Sequence, residues 1–461
     1  MAVTGIDALE LEARVGGIPN RWPAVGLAVG VVRDRRLEFF AGHGLAEGAT
    51  SSPVIQDTVF RIASVTRTFT AIAVLQLWEQ GLVDTVRQLL THTAGVREVV
   101  HLSGLLRMRD LGETVPPGRP VPCLAEYYRG GLRVDAEPGT RFAYTNHGFA
   151  TLGQLVEDVT GMPLDHYLRE RIFKPLGMAD TDLIRPERVR SRLATGYELR
   201  SGGAEPVGDY EVVTVGGGAA WSTPRDMARF LTALLGGGAG EHGAILEPQT
   251  VATMFAAHYQ PDPRIPGFGL GFFRANLGGH LVVEHDGILP GFDAQLMLAP
   301  DDGVGALAFA NGARRGMHWL APEVGGLLRR LLGVPDDAVR ADVPHHTELW
   351  GDLCGWYRFS AHPTNPARFT IGPGAQVVVR RGRLMVRALS PIPALARGFL
   401  LHPDDVQDRD AFRVELPWFG IGTGRVVFSR DPGGSVAAFH LEFAPLSFEK
   451  PRSTREREAQ R

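Results

Sequence analysis

Three short segments carry side chains that could do chemistry together. Ser64 and Arg67 open "SVTRTFTAIAVLQL", Tyr144 and Asn146 stand in "AYTNHGFATLGQL", and His285, Asp286 and Gly287 sit in "VVEHDGIL". A serine hydroxyl is a weak nucleophile near neutral pH, so acyl transfer from it needs a neighbouring base, donors for the developing oxyanion and a fixed acyl geometry. A helix beginning at Ser64 supplies part of this, because its first N–H groups lack partners and the positive end of its dipole faces the hydroxyl. Position 67 returns to the same face one turn later, so a base there would reach the serine. That position holds arginine, which stays protonated and cannot accept the proton. Taken singly, each segment has a plainer explanation: Ser64 as a helix cap, Tyr144 and Asn146 as turn and cap residues, and His285 as a hydrogen-bonded histidine at a strand edge.

The elements that must position these residues follow from spacing. An amphipathic helix from about Ile6 to Val15 precedes "PAVGLAVGVVRDRRLEFFAGHG", two apolar runs about the turn Arg33–Arg36 that predict a β-hairpin. From Ser64 to Leu235 the apolar period is helical. Phe149, Leu152, Leu155, Val156 and Val159 share one face, and Thr223, Pro224 and Asp226 make an N-cap, a first-turn proline and a capping-box spacing for another helix. Strands return in "FGLGFFRANLGG", "HLVVEHDG", "FDAQLMLAP" and "VGALAFANG", and a helix follows from about Met317 to Leu332.

Strands at both ends with helices between predict an α+β fold of the α/β sandwich kind over residues 1–332, one antiparallel sheet flanked by helices with an inserted helical lobe. Residues 333–346 read as a linker. Hairpins about Arg381-Gly382 and Pro432-Gly433-Gly434 then predict a small all-β barrel over 347–450, followed by a charged tail, 451–461.

Composition narrows the partners. The net charge of −3 arises from 48 basic and 51 acidic residues interspersed along the chain, which leaves no field for nucleic acid or an anionic membrane. No apolar run reaches membrane-spanning length, and the amino-terminal residues do not read as a signal peptide, so a cytoplasmic protein is expected. Cys123 and Cys354 are expected to be unpaired thiols. No H-E-x-x-H or paired C-x-x-C is present, and neither a metal nor a cofactor is expected.

In this order the segments resemble the serine β-lactamase and penicillin-binding superfamily, in particular the class C-like branch of β-lactamases, D-aminopeptidases, D,D-peptidases and esterases. "RQLLTHTAG", "EPGTRFAYTN", "IFKPLGMADT" and "GGGAAWSTPRDMARFL" are similar to further landmarks, so the resemblance covers roughly Ala24 to Leu332. The trailing β region resembles the lipocalin-like appendages of some members. The resemblance implies that Ser64 is the acylated nucleophile and that Tyr144 shuttles the proton. Asn146, His285 and Gly287 would then face the substrate, and the N–H groups of Ser64 and Ile288 would form the oxyanion hole.

Two features depart from the family. Arg67 replaces its lysine, and "GLVDTVRQLL" joins two landmarks that relatives hold further apart. An arginine charge beside Tyr144 would favour the phenolate and let tyrosine act as base, giving a slow or alkaline-shifted hydrolase. His285 would be a weaker fixed cation than lysine, so small esters, short D-amino acid amides or, weakly, β-lactams are the expected substrates. The alternative is an inert family member that keeps the cleft as a binding or scaffold surface.

Overall fold

The run Gly26–Arg33 is buried along nearly its whole length, as a strand is only when both faces of its sheet are covered. It is the centre of the molecule's main sheet. The computed structural model describes residues 8–98, 113–185, 187–312, 318–360, 368, 371–416, 422–442 and 445–451. In it β1 (Gly26–Arg33) turns through Asp34 and Arg35, both at positive φ (49° and 58°), into β2 (Arg36–Glu47), followed by the short β3 (Ser52–Pro53). Positive φ at both loop residues matches the twist of a two-residue hairpin. The remaining strands come from much later in the chain: β4 (Phe273–Leu277), β5 (His280–Leu289), β6 (Phe292–Ala299) and β7 (Val304–Ala310). The order is β4-β5-β6-β7-β1-β2-β3, and every pairing is antiparallel, with Leu27 of β1 opposite Ala310 of β7.

Alternation along β1 divides the core between the two faces. Leu27, Val29 and Val31 pack with α1 (Ala8–Gly16) and with α5 (Leu320–Leu331), the last helix of this region. Ala28 and Val32 face the other layer, built from α2 (Thr66–Glu79), α3 (Asn146–Thr160) and α4 (Pro224–Leu235). In α2 every residue from Thr66 to Leu77 is buried, so this is a core helix without a solvent face over that stretch. The cap expected for α4 forms: the Thr223 hydroxyl accepts the Asp226 N–H at 3.1 Å. Gly161 ends α3 in the left-handed conformation.

The region from Ser64 to Leu235 contains more strand than its apolar period indicates. Phe60–Arg61 pairs with Trp221–Ser222, Thr114–Val115 with Glu211–Val212, and Tyr197–Arg200 with Gly203–Pro206. Ladders this short leave no alternation to read. The last helix of this region begins slightly later than the spacing suggests, at Leu320, while Ile6, Met317 and residues 452–461 of the charged tail lie outside the described residues.

A second antiparallel sheet contains β8 (Gly355–Phe359), β9 (Gly374–Arg380), β10 (Arg383–Ala388), β11 (Phe399–Leu400), β12 (His402–Pro403), β13 (Ala411–Leu416), β14 (Gly422–Arg430), β15 (Val436–Leu441) and β16 (Ser447–Glu449). In the order β11-β10-β9-β8-β16-β15-β14-β13-β12 it curls into a nearly closed barrel. Tyr357, Phe359, Phe412, Phe428, Phe439 and Phe448 fill its inside.

The barrel is tied to the loop after Tyr259. Arg264 donates to Asp408 at 3.2 Å and to the Phe428 carbonyl at 2.7 Å, and Arg425 donates back to the Arg264 carbonyl at 3.3 Å. Phe428 is fully buried, so Phe428→Ala should destabilise the barrel by about 3–5 kcal/mol. Denaturant titration followed by hydrogen exchange of the barrel's strand amides would measure this. An unchanged midpoint would mean that the barrel's interior is not its core.

Candidate active site

Ser64 lies in a single 3₁₀ turn, Ala63–Val65, that runs directly into α2. Ala63 is held at φ 48°, a conformation that a residue with a Cβ adopts only when its surroundings enforce it. They do so from both sides. The Ile62 N–H donates to the Ala220 carbonyl at 3.0 Å, while the Thr66 hydroxyl donates to the Ala63 carbonyl at 2.6 Å and accepts the Ala220 N–H at 3.0 Å. Upstream, the buried Arg61 guanidinium lies between the rings of Tyr210 and Trp221, at 4.3 and 4.1 Å from their centroids. The turn bearing the serine is thus clamped to the segment 210–221 before the helix begins.

β5 approaches the same turn. A Cβ on Gly287 would lie 2.2 Å from the Ile62 carbonyl oxygen and 3.0 Å from the Ser64 nitrogen. Only glycine lets the strand backbone come this close to the serine. Ile288, the next residue, is 43% exposed, so the strand leaves the core at this point.

Tyr144 precedes the Thr145 N-cap of α3, and its hydroxyl lies near enough to Ser64 for the serine to lower its pKa. Its backbone is bracketed by His92, whose carbonyl accepts the Ala143 N–H at 2.8 Å and whose Nδ1 accepts the Thr145 N–H at 3.2 Å. The His92 ring also lies 4.3 Å from the Tyr144 ring, with Phe273 on a further side at 6.0 Å. His92 is fully buried and its pKa is held well below the ordinary value, by burial first and then by Arg67 and His285, so it is neutral. Nothing in its spacing marked it as a site residue, although it stands inside the landmark "RQLLTHTAG".

Arg67 has no solvent exposure. Its guanidinium carbon is 4.6 Å from the centre of the Tyr144 ring and 5.6 Å from that of Phe149, and Nη2 donates to Asn146 Oδ1. Nε and Nη1 have no hydrogen-bond partner among the described residues. The Arg67 charge does lower the Tyr144 phenol, as expected, but the phenol does not fall below its ordinary value. The side chain is partly exposed, and its burial pushes the phenol up to about 12. The opposing pulls of Arg67 and Ser64 do not offset it.

Asn146 is engaged at both ends. While Oδ1 receives Arg67, Nδ2 donates to both oxygens of Glu113 at 3.0 Å, and the backbone N–H donates to Glu98 at 3.0 Å. The amide expected to face substrate is thus held by protein. Glu113 also accepts the Thr214 hydroxyl at 3.0 Å, and both glutamates face His147 Nε2, Glu113 at 3.5 Å and Glu98 at 3.9 Å. Burial, and next the charge of Glu113, raise the Glu98 carboxyl well above its ordinary range. Glu98, Glu113 and His147 are potential metal ligands that sequence reasoning missed, for they stand at spacings that match no ligand motif.

His285 is fully buried near Tyr144, with ring centroids 6.4 Å apart. Nδ1 donates to the Asp286 carbonyl at 2.6 Å, which leaves Nε2 as the lone-pair nitrogen, without a partner among the described residues. Burial depresses its pKa to about 4, assisted by Arg67 and resisted by Asp286. The expectation of a weak cation is therefore corrected: His285 is neutral at physiological pH.

Three sequence-distant segments thus meet at one place, with Ser64, Tyr144, Asn146, Arg67, His285 and Gly287 all contributing. The Gly287 contact gives a sharp test. Gly287→Ala drives a methyl group into the Ile62 carbonyl and should slow covalent labelling of Ser64 by about 10²-fold, as misplacement of a reacting group by about 1 Å does. Time-resolved mass measurement of the labelled protein reads this directly, and an unaltered labelling rate would show that the strand does not fix the serine.

Comparison with known proteins bears on this arrangement. Residues 18–321 match the family described as Beta-lactamase. The chain is 28% identical over 325 residues to a D-aminopeptidase of Brucella anthropi, a match covering 66% of this chain and 59% of that protein. It is also 28% identical over 331 residues to penicillin-binding protein 4 of Amycolatopsis lactamdurans, covering 66% and 86% respectively. The chain therefore spans about three-fifths of the D-aminopeptidase's length. Among solved structures, the octameric penicillin-binding protein homologue from Pyrococcus abyssi aligns with a TM-score of 0.63 at 20% identity, over 96% of this chain and all of that one. SurE aligns with a TM-score of 0.61 at 24% identity, over 95% and 98%. At such identities the structural likeness shows a common fold, and it extends over the second sheet. Together with the family match over most of its length, this establishes that the chain belongs to the beta-lactamase family.

Proposed function

We propose that this protein is a serine hydrolase that works through an acyl-enzyme on small esters or amides, with weak action on β-lactams. The observation that carries the reading is the convergence of Ser64 and the Tyr144 phenol, near enough for the serine to lower the phenol's pKa, beside a strand that only glycine lets approach. Ser64 is the nucleophile. Its N–H and that of Ile288 receive the oxyanion, and Tyr144 passes the serine proton to the leaving group. Asn146, His285 and Gly287 line the substrate side, and a substrate amide must displace Glu113 to reach Asn146. A neutral His285 does not attract a carboxylate, which favours substrates without one.

The chemistry is slow because no strong base is ready. With the phenol at about 12, roughly one Tyr144 in 10⁵ is a phenolate at pH 7, and Arg67 cannot take the proton in its place. The second reading, an inert member that binds through the cleft or the barrel, draws on this same missing base. We further propose that residues 1–332 form the hydrolase unit, 333–346 the linker and 347–450 the barrel unit. The two free cysteines, Cys123 and Cys354, support a cytoplasmic location.

Ester hydrolysis by the wild type, Ser64→Ala and Arg67→Lys decides between the readings. Arg67→Lys should gain about 10²–10⁴-fold, the usual worth of a general base. Ser64→Ala should fall to background, and equal rates in all three would remove the hydrolase reading. The pH profile supplies a separate test. A group with a raised pKa ionises late, so the wild-type rate should climb about tenfold per unit from about pH 7 to about pH 10 without a plateau. A plateau near neutrality would assign the base to a group other than Tyr144.

A further inference from the structure

Around Asn146, Glu98, Glu113 and His147 converge in the interior. Their exposures are 7%, 7% and 0%, and each offers a donor atom within 4.8 Å of the others. We infer that Glu98, Glu113 and His147 form a binding site for one divalent transition-metal ion, best suited to Zn²⁺, that fixes the start of α3.

The donor set and its spacing carry this. Zinc bonds of about 2.0–2.1 Å in tetrahedral geometry put neighbouring ligand atoms about 3.3–3.4 Å apart. His147 Nε2 lies 3.5 Å from Glu113 Oε1 and 3.9 Å from Glu98 Oε1. These separations exceed an ordinary N–H···O hydrogen bond and approach the edges of a coordination polyhedron. One imidazole with two carboxylates is a set that zinc and manganese accept, and zinc stands higher in intrinsic affinity.

Each ligand is also oriented from behind. The Tyr128 hydroxyl hydrogen-bonds with His147 Nδ1 at 2.6 Å, so that Nε2 is the nitrogen aimed at the carboxylates. Glu113 is held by Asn146 Nδ2 and the Thr214 hydroxyl, and Glu98 by the Asn146 N–H. A carboxylate oxygen has two lone pairs, so these bonds leave room for a metal. Two buried carboxylates facing one another need either a cation or a shared proton between them. Arg67, engaged with Oδ1 of Asn146, acts on Glu98 through its charge without a hydrogen bond to either carboxylate among the described residues.

Because Glu113 also holds Asn146, the test of this site does not use activity. Full-length protein is equilibrated with Zn²⁺, dialysed and assayed for metal, and its thermal midpoint is measured with and without Zn²⁺. The wild type should retain about one equivalent and unfold at a higher temperature with zinc present. Glu113→Gln and His147→Gln should lose that equivalent, and Tyr128→Phe should weaken zinc about 10–100-fold, as removal of an orienting partner does. Zinc held by surface groups such as Cys123 or His346 is common to all four proteins and cancels in the comparison. Retention by the wild type no greater than by Glu113→Gln, with no zinc-dependent midpoint, would overturn the site and assign the carboxylate pair a proton as counter-partner of Arg67. Should Glu113→Gln or His147→Gln fail to fold, Tyr128→Phe still decides, because affinity equal to that of the wild type would also overturn it.

Discussion

A guanidinium cannot shed its charge, and in this protein one is enclosed in the core. Arg67 sits in a helix whose residues are buried without a break from Thr66 to Leu77, so neither the side chain nor the backbone bearing it can move toward water. Leaving such a charge unmatched would cost several kcal/mol. The surroundings answer with the Asn146 oxygen, the faces of Tyr144 and Phe149, and the glutamates beyond Asn146. The same groups form the wall of the cleft. Neutralising the arginine and shaping the site are therefore one structural task, and a change to any member is felt by the rest.

The opposite wall is governed by backbone rather than charge. Ala63 is held in a left-handed conformation, Thr66 bridges it to Ala220, and β5 lies against the turn at Gly287. None of these restraints comes from a neighbour in sequence beyond the turn itself; they come from residues more than 150 positions away. The serine is thus presented by a rigid frame that several distant elements assemble, the kind of support a reacting group needs.

Much of this was legible before the coordinates. The hairpin of β1 and β2, the cap at Thr223 and the late strands β4–β7 follow from alternation and turn chemistry, because each writes a periodic or punctuated pattern over many residues. The order of the Ser64, Tyr144 and His285 segments was readable because landmarks surround each of them. What escaped was everything decided by burial. The phenol of Tyr144 is raised rather than lowered and His285 is neutral rather than weakly cationic, because desolvation outweighs the nearby charges, and no spacing records how deeply a group lies. Glu98, Glu113 and His92 escaped for a related reason. They reach the site through loops, where position in the chain says little about position in space.

The barrel closes on its own aromatic side chains: Tyr357 and Phe428 have no exposure, and Phe439 stacks on Phe448 at 4.5 Å. On its outer side Arg264 rivets it to the loop that follows Tyr259. Because Tyr259 stacks on Phe142, two residues before the tyrosine of the cleft, the barrel acts as a buttress to that wall.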